Sequence, residues 1–189
     1  MTKKIIGLVG EIGAGKSTIA AHLVSKGCHH LRFSFPIEEE IRRRGLPLER
    51  AIYQDVGDEW RSKFGLDYIS KLLLKKVDET DKQLFVVEGF RNPGELPPFR
   101  QREDFFLLGL VADPKVRFQR LRDRGLPPDP KSWKAFLVQE NRDQGKGQPE
   151  FGQNNAAVIK LADVQLSTDR DISEVLEAVD TVLRTKGVI

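Results

Sequence analysis

The chain has 189 residues, 39% hydrophobic and 31% charged, enough for one domain with a buried core. Thirty-one Lys and Arg against 28 Asp and Glu leave a net charge of +3. That balance does not by itself argue for nucleic acid, so arginines that cluster point instead to a polyphosphate ligand. No apolar run approaches the ~20 residues of a membrane helix. Met1-Thr2-Lys3-Lys4 leads into a strand without a signal-peptide layout. Cys28 is the only cysteine, which rules out an intrachain disulfide and suits a reducing cytoplasm, the expected location. With three histidines beside it, no structural zinc site is expected.

Taken in order, residues 5–9 form an apolar strand and 16–25 a helix. A strand over 30–35 is followed by charged helices over 37–44, 48–64 and 68–77. Strands over 84–88 and 105–112 precede a helix over 114–124, with Asp113 as its cap and Pro114 in its first turn. A helical pair over 132–143 and 154–161, a strand over 164–167 and a helix over 171–184 complete the chain. Strands that are continuously apolar and alternate with helices predict a parallel sheet covered on both faces. The expected fold is a three-layer α/β/α domain spanning 1–189 around a five-stranded parallel sheet. Residues 36–80 read as a helical acceptor-binding insertion and 125–153 as a lid.

Gly10-Glu11-Ile12-Gly13-Ala14-Gly15-Lys16-Ser17 matches the phosphate-loop pattern G-x-x-x-x-G-K-[ST] in its strand-to-helix context. Glycines let such a loop curl until its N–H groups face phosphate oxygens, and the following helix adds its positive end. Gly10, Gly13, Ala14, Gly15, Lys16, Ser17 and Thr18 are therefore assigned to the triphosphate of ATP. Lys16 is expected at the β- and γ-phosphates and the Ser17 hydroxyl on Mg²⁺.

The strand at 84–88 ends in Glu88, and Gly89-Phe90-Arg91 follows. A carboxylate at the carboxyl edge of such a sheet can serve Mg²⁺ or orient the acceptor. The fork of Arg91 suits a phosphate. Arg117, Arg120 and Arg124 recur at helical spacing, and Arg142 lies on the next helix. Arg120, Arg124 and Arg142 are read as lid arginines near the transferring group. Arg42 and Arg61, in the 36–80 insertion, are candidate acceptor clamps beside Glu88 and Arg91.

The phosphate loop together with Glu88-Gly89-Phe90-Arg91 resembles the nucleoside-monophosphate kinase group, in which a strand ends in Asp-Gly-Phe-Pro-Arg. Here Glu88 replaces the aspartate and the proline is absent. The start of the chain, with Ala162-Asp163-Val164 and Ser167-Thr168-Asp169, is similar to dephospho-coenzyme-A kinases. Over nearly its full length the chain looks like the little-characterised dephospho-coenzyme-A-kinase-like and deoxynucleotide-kinase-like proteins. Arg42-Arg43-Arg44-Gly45-Leu46-Pro47 and Arg91-Asn92-Pro93-Gly94-Glu95 are among the residues that carry that likeness.

The resemblance implies an ATP- and Mg²⁺-dependent small-molecule kinase. A ribose hydroxyl acceptor needs a carboxylate base, which the dephospho-coenzyme-A group keeps just after its second strand; here no acid follows until Glu38. A phosphate acceptor needs only positive clamps, so a (deoxy)nucleoside monophosphate is the expected acceptor. Dephospho-coenzyme A is the alternative, and a regulatory ATPase the alternative of another class. Neither nucleic acid nor membrane is an expected partner, and oligomeric state stays open.

Overall fold

The computed structural model describes residues 3–126 and 129–189; Met1, Thr2, Pro127 and Pro128, the last two within the stretch expected to form a lid, lie outside the described residues. Five strands, β1 (Lys4–Gly10), β2 (His29–Arg32), β3 (Leu84–Glu88), β4 (Phe105–Val111) and β5 (Val164–Ser167), pair in the order β2-β3-β1-β4-β5. Every pairing is parallel. The order reverses direction around β1, so the crevice at the carboxyl end of β1 lies where open α/β sheets bind ligands. The phosphate loop leaves β1 at that point.

Alternation along β1 sends its side chains to opposite faces. Ile6 and Leu8 pack with Ile19 and Leu23 of α1 (Lys16–Ser25) and with Val175, Val179 and Leu183 of the C-terminal helix (Ile172–Thr185). Ile5 and Val9 face the other way. They join Phe33, Ile37, Trp60, Leu73, Phe90 and Phe99, drawn mostly from the helices between β2 and β4. These two apolar layers make the expected three-layer α/β/α domain.

Between β2 and β3 lie α2 (Ser34–Arg43), α3 (Arg50–Phe64) and α4 (Tyr68–Asp78). The strand expected over 30–35 stops at Arg32, and Ser34 already opens α2. Pro36 sits in the first turn of that helix, where a missing N–H costs nothing. A 3₁₀ turn (Pro93–Glu95) and the short α5 (Pro97–Arg100), not expected from periodicity, follow β3. After β4 come α6 (Pro114–Arg124), α7 (Trp133–Asp143) and α8 (Asn155–Lys160), and α9 is the C-terminal helix. Asp113 caps α6 by accepting from the Lys115 N–H at 2.8 Å. Among the described residues no helix is long and apolar enough to cross a membrane.

Candidate active site

Gly13 and Gly15 adopt φ of 78° and 88°, the left-handed region that glycine tolerates. A Cβ on Gly13 would also stand 2.7 Å from the Arg117 carbonyl oxygen. The loop is therefore curled by φ at two points and pressed against α6 at one. Lys16, half-buried, folds back and donates to the carbonyls of Gly10 (2.7 Å) and Glu11 (2.9 Å). Burial lowers its pKa from 10.5 to about 7; Arg91 lowers it too, while Glu88, Asp143 and Glu11 oppose the fall. Among the described residues the amine forms no direct ion pair beyond the long-range pull of these carboxylates, so an added anion such as a phosphate would favour its charged form.

Two cavities meet here. The larger, about 650 Å³, opens over the phosphate loop. Gly13, Gly15, Lys16, Ser17 and Thr18 line it together with Arg91, Arg120 and Arg124. The second, about 540 Å³, lies between the end of β3 and the helices α2 and α3. Lys16, Ser17 and Arg91 line both, so a phosphoryl donor in the first and an acceptor in the second, the expected donor and acceptor cavities, would meet at those three side chains.

The remaining assigned residues fall into place unevenly. Gly10 and Ala14 line neither cavity: the Gly10 carbonyl holds Lys16, and buried Ala14 accepts from the Thr168 hydroxyl at 3.2 Å. Arg120 lines the donor cavity while donating to the Thr168 hydroxyl (3.0 Å) and carbonyl (2.5 Å), which ties α6 to the loop after β5. Arg124 lines it too, paired with Asp129 at 2.9 Å. Glu88, 7% exposed, lines the acceptor cavity, with His30 Nε2 at 3.0 Å from its Oε1. Arg91 is the arginine common to both cavities, and its guanidinium forms no ion pair among the described residues.

Three assignments shift. Arg42 points to solvent and donates to Glu38 at 2.7 Å; neither cavity includes it. Its spacing of four residues from Glu38 on one helix explains the pairing. Arg61 does line the acceptor cavity, but its guanidinium is already held by Asp58 (2.6 Å), Glu95 (3.1 Å) and the Phe151 carbonyl (2.8 Å). It is a buttress rather than a free clamp. Arg142 is exposed on α7 and lines a third groove, which shares Gln54 with the acceptor cavity and Asp143 with the donor cavity, but Arg142 itself lines neither of those two. On that helix Glu140 and Asp143, three residues apart, turn inward, and Arg142 does not share their face.

Several site residues escaped the sequence reading. Arg117 is 1% exposed and donates to the carbonyls of Ala112 (2.9 Å) and Ile12 (3.2 Å) and to Glu140, with Glu11 at 3.2 Å. It clamps the phosphate loop to α6 and α7. Its helical spacing to Arg120 was visible, but not that it points inward. Thr168 and Arg170 line the donor cavity; Arg32, Tyr53, Gln54 and Gln153 line the acceptor cavity. Thr168 belongs to Ser167-Thr168-Asp169, a stretch already noted as similar to dephospho-coenzyme-A kinases; nothing in the local sequence marks out the others.

A family model described as AAA domain matches residues 6–145. A UPF0200 protein of Pyrococcus horikoshii is 32% identical over 184 residues, 95% of either chain. One of Methanocaldococcus jannaschii is 29% identical, over 95% of this chain and 89% of its own. Among solved structures, TT1252 from Thermus thermophilus matches at a TM-score of 0.63 and 23% identity over 98% of both chains. Shikimate kinase from Acinetobacter baumannii matches at 0.54 and 17% identity, over 98% of this chain and 96% of its own. These likenesses show the fold, that of P-loop kinases.

Proposed function

Since the chain belongs to the AAA-domain family and to the UPF0200 proteins, on a P-loop kinase-like fold, we propose that it transfers the γ-phosphoryl group of ATP to a small nucleotide-type acceptor. The observation that carries this reading is the junction of two cavities at Lys16, Ser17 and Arg91. A switch that only hydrolyses needs the first cavity alone.

In this reading the triphosphate lies over the loop, and the ammonium of Lys16 leaves the Gly10 and Glu11 carbonyls for phosphate oxygens. Arg91 lies between the ligands and holds the acceptor against the γ-phosphorus. An acceptor oxygen bonds to that phosphorus as its bond to the β,γ-bridging oxygen breaks, and ADP leaves. Positioning and charge neutralisation supply most of the catalysis in such transfers. Arg120 and Arg124 line the donor side, where arginines stabilise charge spread over phosphoryl oxygens. Ser17 and Glu88 both line the acceptor cavity, and such hard oxygen donors fit Mg²⁺. When bound, that ion would neutralise charge on the β- and γ-oxygens. Residues 36–80 supply parts of α2 and α3 and Ile69 of α4 to the acceptor wall, and 125–153 supply Gln153 to it and Asp129 and Asp143 to the donor cavity, which suits the insertion and lid roles.

A monophosphate is the favoured acceptor. Glu38 is tied to Arg42 and lines neither cavity, so α2 brings no base to the site. A second reading rests on Glu88, a carboxylate beside His30 in the acceptor wall. It would take the proton of an attacking hydroxyl, as the dephospho-coenzyme-A alternative needs. The test is ADP formation by purified protein with Mg-ATP and a panel of ribo- and deoxymonophosphates, dephospho-coenzyme A and shikimate. Acceleration by a monophosphate is expected. Acceleration by hydroxyl acceptors alone would replace the first reading with the second, and a rate indifferent to every acceptor would leave a regulatory ATPase.

A further inference from the structure

Arg61, the buried guanidinium displaced from the acceptor role, holds a strap. Its Nε donates to the Phe151 carbonyl at 2.8 Å. Asn92, 3% exposed, donates through Nδ2 to the carbonyls of Glu150 and Gly152, each at 2.8 Å. The Asn154 N–H donates to the Arg91 carbonyl at 2.6 Å. Residues 150–154 are thereby stitched to the loop that presents Arg91.

The stitching residues are themselves fixed. Glu95 is fully buried and accepts from Arg61 Nη1 (3.1 Å) and from the backbone N–H groups of Arg91 (2.6 Å) and Asn92 (3.1 Å). Asn92 Oδ1 accepts from the Gly94 N–H at 2.8 Å. This buried polar network has a partner at every step, the kind that holds one arrangement.

What the strap delivers is Gln153. It lines the acceptor cavity and is 9% exposed, yet its Oε1 has no hydrogen-bond partner among the described residues. A buried carboxamide oxygen without a donor is costly, and native interiors rarely keep one. Asn155, whose side chain also finds no hydrogen-bond partner among the described residues, lines neither cavity. Elsewhere on the acceptor wall, Phe33 and Tyr53 offer ring surface and Gln54 a second carboxamide.

We propose that Gln153 selects the acceptor by receiving an N–H from the edge of a nucleobase, while Arg91 holds the phosphate at the other end of the same molecule. The proposal rests on the monophosphate reading above and deepens it. It assigns Arg61, Glu95 and Asn92 as positioning residues that hold the strap. Amide and amine N–H groups are the donors such an edge carries, and a site built to pair one discriminates strongly against an analogue lacking it.

The test is calorimetric titration of AMP, GMP, CMP, UMP and purine riboside 5′-monophosphate, which has no exocyclic amine. Each is added to protein saturated with Mg²⁺ and a non-hydrolysable ATP analogue, wild type and Gln153→Leu. The expected result is at least one natural monophosphate bound about tenfold or more tightly than the purine riboside compound. Gln153→Leu should erase most of that preference and leave affinity for the ATP analogue within about twofold. Gln153→Met, closer in length, should do the same, which separates lost pairing from altered packing. The proposal is overturned if both variants bind every monophosphate within about twofold of wild type, or if no natural base is preferred to the purine riboside. ADP formation distinguishes the two failures: acceptor-stimulated turnover with no effect at Gln153 leaves the kinase reading standing. Stimulation by shikimate or dephospho-coenzyme A alone removes the monophosphate reading and this proposal together.

Discussion

Nucleotide binding should draw a proton from solution, and the amount is set by Lys16. In the free protein burial lowers its pKa from 10.5 to about 7. At pH 8 only about one molecule in eleven then carries the ammonium form, and at pH 7 about half. Phosphates restore the charge, so binding of Mg-ATP should take up about 0.9 proton at pH 8 and about 0.5 at pH 7. Apparent affinity should fall about tenfold per pH unit above 7. The free protein shows the matching sign in its stability. Between about 7 and 10.5 the folded chain binds fewer protons at Lys16 than the unfolded chain, so this group makes stability rise with pH across that window. The assay is calorimetry at pH 7.5 to 8.5 in buffers of differing ionisation enthalpy, a range that avoids most of the titration of the triphosphate itself. Lys16→Arg keeps a charge that does not titrate and provides the baseline. Equal heats in all buffers, with affinity flat over that range, would refute the reasoning.

Three more outcomes are expected. Arg61→Met leaves Glu95 buried without its cation and should cost about 3–5 kcal/mol of stability in urea titration; a loss under about 1 kcal/mol would deny the buttress role. Gly13→Ala places a methyl against the Arg117 carbonyl at a φ of 78°, so Mg-ATP affinity by calorimetry should drop about tenfold or more; wild-type affinity would show that the loop has another route to its shape. Arg42→Ala removes an exposed pair outside both cavities and should leave the acceptor KM within about twofold, whereas a large rise would return Arg42 to the site.

The parts legible in the sequence were those fixed by local chemistry. Gly13, Gly15, Lys16 and Ser17 announce a phosphate loop because the curl needs glycine at set positions and the chemistry needs an amine and a hydroxyl beside it. Continuous apolar runs marked β1, β3 and β4, since strands buried on both faces carry no polar alternation, while β2 and β5, at the sheet's edges, are mixed in polarity. The end of β2 was overread by three residues and that of β4 by one: Phe33-Ser34-Phe35 has strand composition, and Pro36 in the first turn of α2 looks like a break.

Partners across the fold were less visible. Arg42, Arg61 and Arg142 carry the same charge, and nothing nearby in sequence separates a solvated pair from a buttress. Arg61 depends on Glu95 and Phe151, 34 and 90 residues away. Arg117 and Arg120 differ by less than a turn, yet one is sealed under the loop and the other faces the cavity over the phosphate loop. Gln153 sits in a Gly- and Gln-rich stretch that reads as lid; what singles it out is an unmet hydrogen bond, a property of the folded chain alone.

The decisive measurement follows the phosphorus. Protein loaded with Mg-ATP labelled in the γ-position is mixed in a single turnover with unlabelled monophosphates and quenched, and the products are separated. The account predicts label in an organic diphosphate, formed one for one with ADP. Label appearing solely as orthophosphate, at the same rate with acceptors absent, would contradict it.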